Sequence, residues 1–184
     1  MIGYYSIKSG ISNQDFVDNK TALVKTVDVV LQEINQDNWE ECIRLKTTEE
    51  QENFVASNLY SLAQSKFYPS CVPLGVYHNQ TMVGFVMYET MSTGDQNSGY
   101  CICRLMIDKN HQRKGYGKAA MQAVINLLKD KPDCKKISTS YVPKNAVAEK
   151  LYYSLGFHAT GLIEDGEIVL SLSVESRAGV TTQS

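Results

Sequence analysis

Short β-rich runs alternate with amphipathic stretches along most of this chain. The first, VDVVLQEI at 27–34, is bounded by Asn35 and predicts a strand. Asp37 is placed to cap a helix through WEECIRL. Thr48 is placed to cap a second through EEQENFVASNLYSLAQSKF, where Phe54, Leu59, Leu62 and Ala63 keep helical spacing. PLGVYH and MVGFVMYE flank HNQT, a hairpin signal, and GYCICRLMID follows the loop MSTGDQNS as a further strand. Residues 115–129 set Ala120, Val124, Leu127 and Leu128 on one helical face, and Pro132 stops that helix. KKISTSYV reads as a strand, 145–155 as a helix ended by Gly156, and FHATGLI and EIVLSLSV as strands joined across Glu164, Asp165 and Gly166. Strands and helices interspersed in this way predict a mixed α/β (α+β) fold.

Periodicity is absent at both ends, so residues 1–26 read as an N-terminal extension and 175–184 as a tail around one domain at 27–174. A length of 184 residues with 43% hydrophobic content suits one core, since two halves would each be marginal. Lys and Arg total 18 against 20 for Asp and Glu, a balance that argues against a dedicated nucleic-acid binder. No apolar run reaches the roughly 18 residues of a membrane span. The opening lacks a basic region followed by an apolar one, so the expected location is the cytoplasm. The five cysteines are odd in number and form no CxxC pair, and the three histidines have no metal-ligand spacing, so no metal is expected. No GxSxG occurs, which leaves a serine hydrolase without its nucleophile.

The sharpest chemistry lies between the strand ending at Asp108 and the helix after it. Lys109, Arg113, Lys114 and Lys118 fall within ten residues without a carboxylate, and Gly115 and Gly117 let the backbone approach a ligand. A helix start offers unpaired N–H groups to an anion, so a diphosphate-bearing ligand fits. Three phosphate-binding readings compete for these glycines. GYGKAA satisfies GxGxxA, but six residues separate Asp108 from Gly115, whereas a dinucleotide turn wants its first glycine directly after the strand. A Walker loop is excluded because GK[ST] does not follow a glycine at the required distance.

The turn from Gln112 through Arg113, Lys114, Gly115 and Tyr116 to Gly117, after LMID, resembles the acyl-CoA motif of the GNAT N-acetyltransferases. Downstream, Asn145-AVAEKL-Tyr152-YSL-Gly156-Phe157 resembles the family's second motif, and together the two are far more specific than either alone. The resemblance spans roughly residues 27–174. It implies a mostly antiparallel central sheet of about six to seven strands flanked by helices, with acetyl-CoA as cosubstrate. It implies that backbone amides of Arg113, Gly115 and Gly117 cradle the diphosphate beside Gln112, Lys114, Tyr116 and Lys118. The backbone of Leu105, Met106 and Ile107, with Asn145, would meet the pantetheine arm.

Acetyl transfer to an amine requires the neutral amine and a proton for the departing thiolate. An alkylamine of pKa near 10.4 is about 3.4 units from neutral pH, so its deprotonated form costs roughly 4 to 5 kcal/mol. By the resemblance, Tyr152 holds the place of the general acid; packing is the alternative for it, as for Tyr153 beside it. Where polyamine-acetylating relatives often carry a carboxylate this chain has Cys103, which leaves Glu89 as a candidate base working through water. Cys101 and Cys103 alternate onto one strand face and read as packing thiols, so direct attack by the amine is expected instead of an acyl-enzyme.

Glu33, Asp37, Glu40, Glu41, Glu49, Glu50 and Glu52 suggest an acidic border to the acceptor cleft. MVGFVMY and SLAQSKFYP resemble bacterial diamine and polyamine acetyltransferases. A small-molecule amine, with spermidine or spermine foremost, is therefore the expected partner, with aminoglycosides, other amines and protein N-termini open. A non-catalytic acyl-CoA sensor is the rival class, and the resemblance admits a homodimer.

Overall fold

The computed structural model describes residues 27–91 and 98–174; the N-terminal extension, most of the loop MSTGDQNS and the C-terminal tail lie outside the described residues. One sheet runs β1 (Val30–Glu33), β2 (Cys71–His78), β3 (Thr81–Met91), β4 (Gly99–Ile107), β5 (Lys136–Tyr141), β7 (Glu167–Ser173) and β6 (His158–Glu164) in spatial order. β4 and β5 are parallel, and every other neighbouring pair is antiparallel. The expected α/β class with a mostly antiparallel sheet is the one observed.

Turn chemistry sets the two hairpins. Asn79 (φ 56°) takes the left-handed conformation in the two-residue turn between β2 and β3. Asp165 (φ 49°) and Gly166 (φ 81°) both do so between β6 and β7, as a type I′ turn requires.

Helices cover both faces. α3 (Tyr116–Lys129) and α4 (Ala146–Ser154) pack with Val76, Val83, Val86, Ile102 and Ile137 on one side. α1 (Trp39–Arg44) and α2 (Asn58–Phe67) lie over Met82, Phe85, Met87 and Met106 on the other. In α3 the buried stripe is Ala120, Met121, Val124, Ile125 and Leu128, whereas Leu127 is 40% exposed. At 100° per residue Leu127 lies about 90° from the stripe's centre, which corrects its expected place on that face. Among the described residues no helix is long and apolar enough to cross a membrane.

The single helix expected from Thr48 is two elements. A 3-10 turn, Glu49–Gln51, ends early, and α2 starts afresh where Ser57 Oγ accepts from Tyr60 N at 3.2 Å. That cap, worth about 1 kcal/mol, resets the helical phase: Asn58 and Ser61 are buried while Leu59 is exposed. Likewise Asn38, not Asp37, is the N-cap residue of α1.

Candidate active site

β4 and β5 pair only from Gly99 to Ile102 against Lys136 to Thr139. Beyond Ile102 the two strands part, and the backbone of Cys103 to Ile107 lies unpaired on that side. A cleft of about 480 Å³ opens between the diverging ends. β4 lines one wall, Thr139, Ser140 and Tyr141 the other, and the first turns of α3 and α4 close one end. Thr47, Gln51, Phe54 and Val55 close the opposite end. The described lining residues include Arg104, Arg113, Lys118 and His111, and none is Asp or Glu.

The turn into α3 is built to expose backbone N–H groups. Arg113 (φ 61°) and Gly115 (φ 89°) are both left-handed, a curl that gathers successive amides into an anion-binding concavity at a helix N-terminus. Gln112 pins this turn, since its Nε2 donates to the Ile107 carbonyl at 3.0 Å and to Gln51 Oε1 at 2.7 Å. Asp108 anchors the end of β4. Its carboxylate accepts from Lys46 N and from Asn110 N and Nδ2, all at 2.9 Å. Burial raises the pKa of Asp108, but those three donors outweigh it and hold the carboxyl below its ordinary value.

At Gly117 an added Cβ would touch only Ile107 and Leu151, at 3.8 and 3.9 Å, both ordinary contact distances. The protein's own packing does not demand glycine there. Gly117 lines the cleft.

A β-bulge marks the point where the strands separate. Met87 pairs with Arg104 and Tyr88 with Ile102, so Cys103 is the extra residue on β4. Cys103 donates its thiol to the Met87 carbonyl at 3.4 Å and packs on the α2 side of the sheet. Arg104 also reaches that side: Nη1 donates to the Cys103 carbonyl at 2.7 Å and Nη2 to Gln64 of α2 at 3.4 Å. Desolvation, with neighbouring Cys101 and Glu89 adding to it, pushes the Cys103 thiol up to about 12, so it is protonated at neutral pH.

Tyr152 enters the cleft from the opposite face. It is buried, with ring contacts to Tyr141 at 6.5 Å and Phe157 at 6.0 Å, while Tyr153 beside it is 44% exposed. Burial raises the Tyr152 pKa, a hydrogen bond with Thr139 opposes that, and Glu167 adds to it. The phenol therefore keeps its proton well past neutrality. Thr139 in turn donates to the Ile102 carbonyl at 2.9 Å, next to the bulge.

Of the residues singled out from the sequence, Leu105, Met106, Ile107, Gln112, Arg113, Tyr116, Gly117, Lys118, Asn145 and Tyr152 all line the cleft. Lys114 instead donates to the Asn110 carbonyl at 2.9 Å on the surface, and Gly115 shapes the turn without lining it. Asn145 caps α4 through Oδ1 to Ala148 N at 3.1 Å, which leaves its amide N–H groups for a ligand. Glu89 is half-buried on the α2 side, accepts from the Cys71 thiol at 3.6 Å, and does not line the cleft.

None of the seven acidic residues between Glu33 and Glu52 lines the cleft either. Glu41 holds Met82 N at 3.1 Å, Glu40 pairs with Arg44, and Glu52 borders an adjoining hollow of about 380 Å³. The acidic border expected from these residues is thus not part of the main cleft. Arg104, Gln51 and Thr139 were missed by sequence reasoning. Periodicity carries no signal for any of them.

A seven-stranded sheet whose parallel central strands part around a ligand-sized cleft, with a basic glycine turn opening α3, is the arrangement of an acyl-CoA dependent transferase. Residues 31–157 match the acetyltransferase (GNAT) family, and the chain belongs to it. Two Bacillus subtilis proteins are each 30% identical over 141 residues, covering 74% of this chain and 93% of their own. They are a probable spermine N(1)-acetyltransferase of subspecies natto (strain BEST195) and the spermine/spermidine N(1)-acetyltransferase of strain 168. Among solved structures, spermidine N-acetyltransferase from Vibrio cholerae with CoA and spermine superposes with a TM-score of 0.64 at 14% identity, covering 82% of this chain and 98% of that one. Aminoglycoside acetyltransferase AAC(6')-Ib with coenzyme A gives 0.66 at 16% identity, covering 79% and 95%. At such identities the structural likeness concerns the fold.

Proposed function

We propose that this chain transfers acetyl from acetyl-CoA to a primary amine of a small polyamine such as spermidine or spermine, by direct attack within a ternary complex. The observation that carries the cofactor assignment is the cleft itself. It joins a basic N–H concavity at the start of α3 to an unpaired stretch of β4 backbone, and no described lining residue is acidic. The polyamine assignment is supported by the two Bacillus relatives.

The donor set fits the cosubstrate. Amides of the turn at Arg113, Gly115 and Gly117 would hold the diphosphate, with Arg113 and Lys118 adding charge at the cleft. The unpaired edge of Leu105 to Ile107 and the Asn145 amide would receive the pantetheine arm. Acetyl-CoA supplies the thioester carbonyl. The amine nitrogen attacks it, the C–S bond breaks, and Tyr152 donates its phenolic proton to the departing sulfur. General-acid help of this kind contributes about 10²- to 10⁴-fold. Glu89, on the α2 side but outside the cleft wall, would receive the amine's proton through water. We assign residues 27–174 as the catalytic domain. We place the protein in the cytoplasm, supported by five cysteines none of which is in a disulfide. A homodimer would use β6, an edge strand exposed along its whole length.

The test is release of free CoA thiol on adding spermidine, spermine, a linear diamine, an aminoglycoside or an amino-acid amide. Turnover is expected with the polyamines and is strictly acceptor-dependent. Thermal stabilisation by acetyl-CoA with no turnover on any amine would instead define a binding module.

A further inference from the structure

β5 borders the cleft with side chains on both of its faces. Thr139 and Tyr141 turn toward α4, where Thr139 hydrogen-bonds with Tyr152 and Tyr141 meets its ring at 6.5 Å. Ser140 lies between them, so strand alternation turns it to the opposite face, the side of α2. It too lines the cleft. Its hydroxyl donates to Oε2 of Glu167, the first residue of β7. A serine hydroxyl has a single proton to give. With that proton committed to Glu167, Ser140 Oγ has only lone pairs left for a ligand in the cleft. It is an acceptor for N–H groups, with a carboxylate behind it.

No ion pair among the described residues involves Glu167. Directly across β6 and β7 it faces Glu164, a like charge. The field of Glu167 reaches the cleft: burial is the main cause that raises the Tyr152 pKa, and of the neighbouring charges Glu167 adds most to it. The face on which Ser140 lies is also negative around Cys101, the strand partner of Ser138. Desolvation is the main cause of that thiol's raised pKa, and Glu89 and Glu164 each add more to it than Arg104 takes away. The remaining ammonium groups of a polyamine are drawn to such a face.

We propose that Ser140 and Glu167 together take the proton from the attacking amine. This rests on the acetyltransferase reading, and it gives the proton a direct route where Glu89 is reached only through water. The proton that converts the ammonium to an amine goes to solvent beforehand. Ser140 Oγ then accepts an N–H of the neutral amine and holds the nitrogen in the cleft. As the N–C bond forms and the C–S bond breaks, a proton passes from the nitrogen to Oγ, and the serine's own proton passes to the Glu167 carboxylate. Tyr152, on the other face of β5, gives its proton to the departing sulfur. Protonation of Glu167 removes the charge that raised the Tyr152 pKa, so the phenol becomes a stronger acid as the thiolate leaves. Glu167 then returns its proton to the phenolate through cleft water, and both groups are reset.

Glu167→Gln distinguishes this role from a structural one. The amide oxygen still accepts from Ser140, but the group takes up no proton. In a thiol-release assay with spermidine, Glu167→Gln and Ser140→Ala should each lower kcat by about 10²-fold, with the acetyl-CoA KM within roughly twofold of wild type. Because the two groups act in series, the double variant should be no slower than the slower single one. Ser140→Thr, which keeps a hydroxyl, should stay within about tenfold of wild type. Full activity in Glu167→Gln would overturn the proposal and leave its bond to Ser140 as a tie between strands. Losses that multiply in the double variant, or a raised spermidine KM at unchanged kcat, would overturn it as well. If Glu167→Gln does not fold, Ser140→Ala against Ser140→Thr decides, and equal losses in the two refute the proposal. Absence of thiol release with every amine in wild type would defeat the acetyltransferase reading itself, a result distinct from an active wild type with indifferent variants.

Discussion

Gly117→Ala separates the needs of the fold from those of the ligand. Gly117 is the second residue of α3, does not take a left-handed φ, and as alanine would place a methyl at ordinary contact distance from Ile107 and Leu151. Exchanging glycine for alanine inside a helix stabilises it by about 0.5 to 1 kcal/mol, less near the end. For a chain of this size that corresponds to a rise in Tm of about 1 to 4 °C. The same methyl would stand in the N–H concavity where the diphosphate is placed, and loss of close backbone approach there should raise the acetyl-CoA KM at least tenfold, or about 1.4 kcal/mol. Differential scanning fluorimetry without ligand, and saturation kinetics with acetyl-CoA at fixed spermidine, measure the two quantities on one preparation. The two effects are expected to have opposite signs: a more stable apo-protein that binds its cosubstrate worse. A stabilised variant with an unchanged acetyl-CoA KM would mean that the diphosphate lies elsewhere.

Tyr152→Phe keeps the ring packing against Tyr141 and Phe157 and removes the proton, so kcat should fall by about 10²-fold or more with acetyl-CoA KM little changed, as read by thiol release. Cys103→Ala should stay within a few-fold of wild type, because the thiol is protonated at working pH; near-complete loss of turnover would revive an acyl-enzyme. Asp108→Ala should cost at least about 2 kcal/mol, because Lys46 N and Asn110 N lose a charged partner, and should lower Tm by roughly 4 to 8 °C. With the folded pKa of Asp108 held below its ordinary 3.8, its contribution is present above that value and is lost as pH falls through the folded pKa, so acid titration of Asp108→Asn should show a shallower loss there.

The parts of this molecule that were legible in the sequence are those set by local chemistry. Asn145 announces the start of α4, the stripe from Ala120 to Leu128 announces α3, and Asp165-Gly166 announces a type I′ hairpin. The glycine turn was legible too, although its glycines differ in function. Gly115 is needed for a left-handed backbone, whereas the chain's own packing does not require a glycine at 117.

What was not legible depends on register and on long-range contact. Strict alternation places Arg104 on the face opposite Cys103, away from α2. The bulge opposite Met87 turns both to the same side, and no residue type in GYCICRLMID signals it. Thr48 and Ser57 both resemble helix caps, yet only Ser57 makes its side-chain bond, and the intervening residues instead carry Gln51, Phe54 and Val55 to the cleft. The acidic residues misled because charge on a helix does not reveal which way it faces. Glu41 serves the β3 backbone, and Glu40 faces outward with Arg44.

In the proposed mechanism both substrates meet in the cleft between β4 and β5 and react without a covalent enzyme intermediate. Initial rates of thiol release measured over a grid of acetyl-CoA and spermidine concentrations test it most directly. Double-reciprocal lines that intersect are expected, because a ternary complex must form. Parallel lines, the mark of an acyl-enzyme, would contradict it.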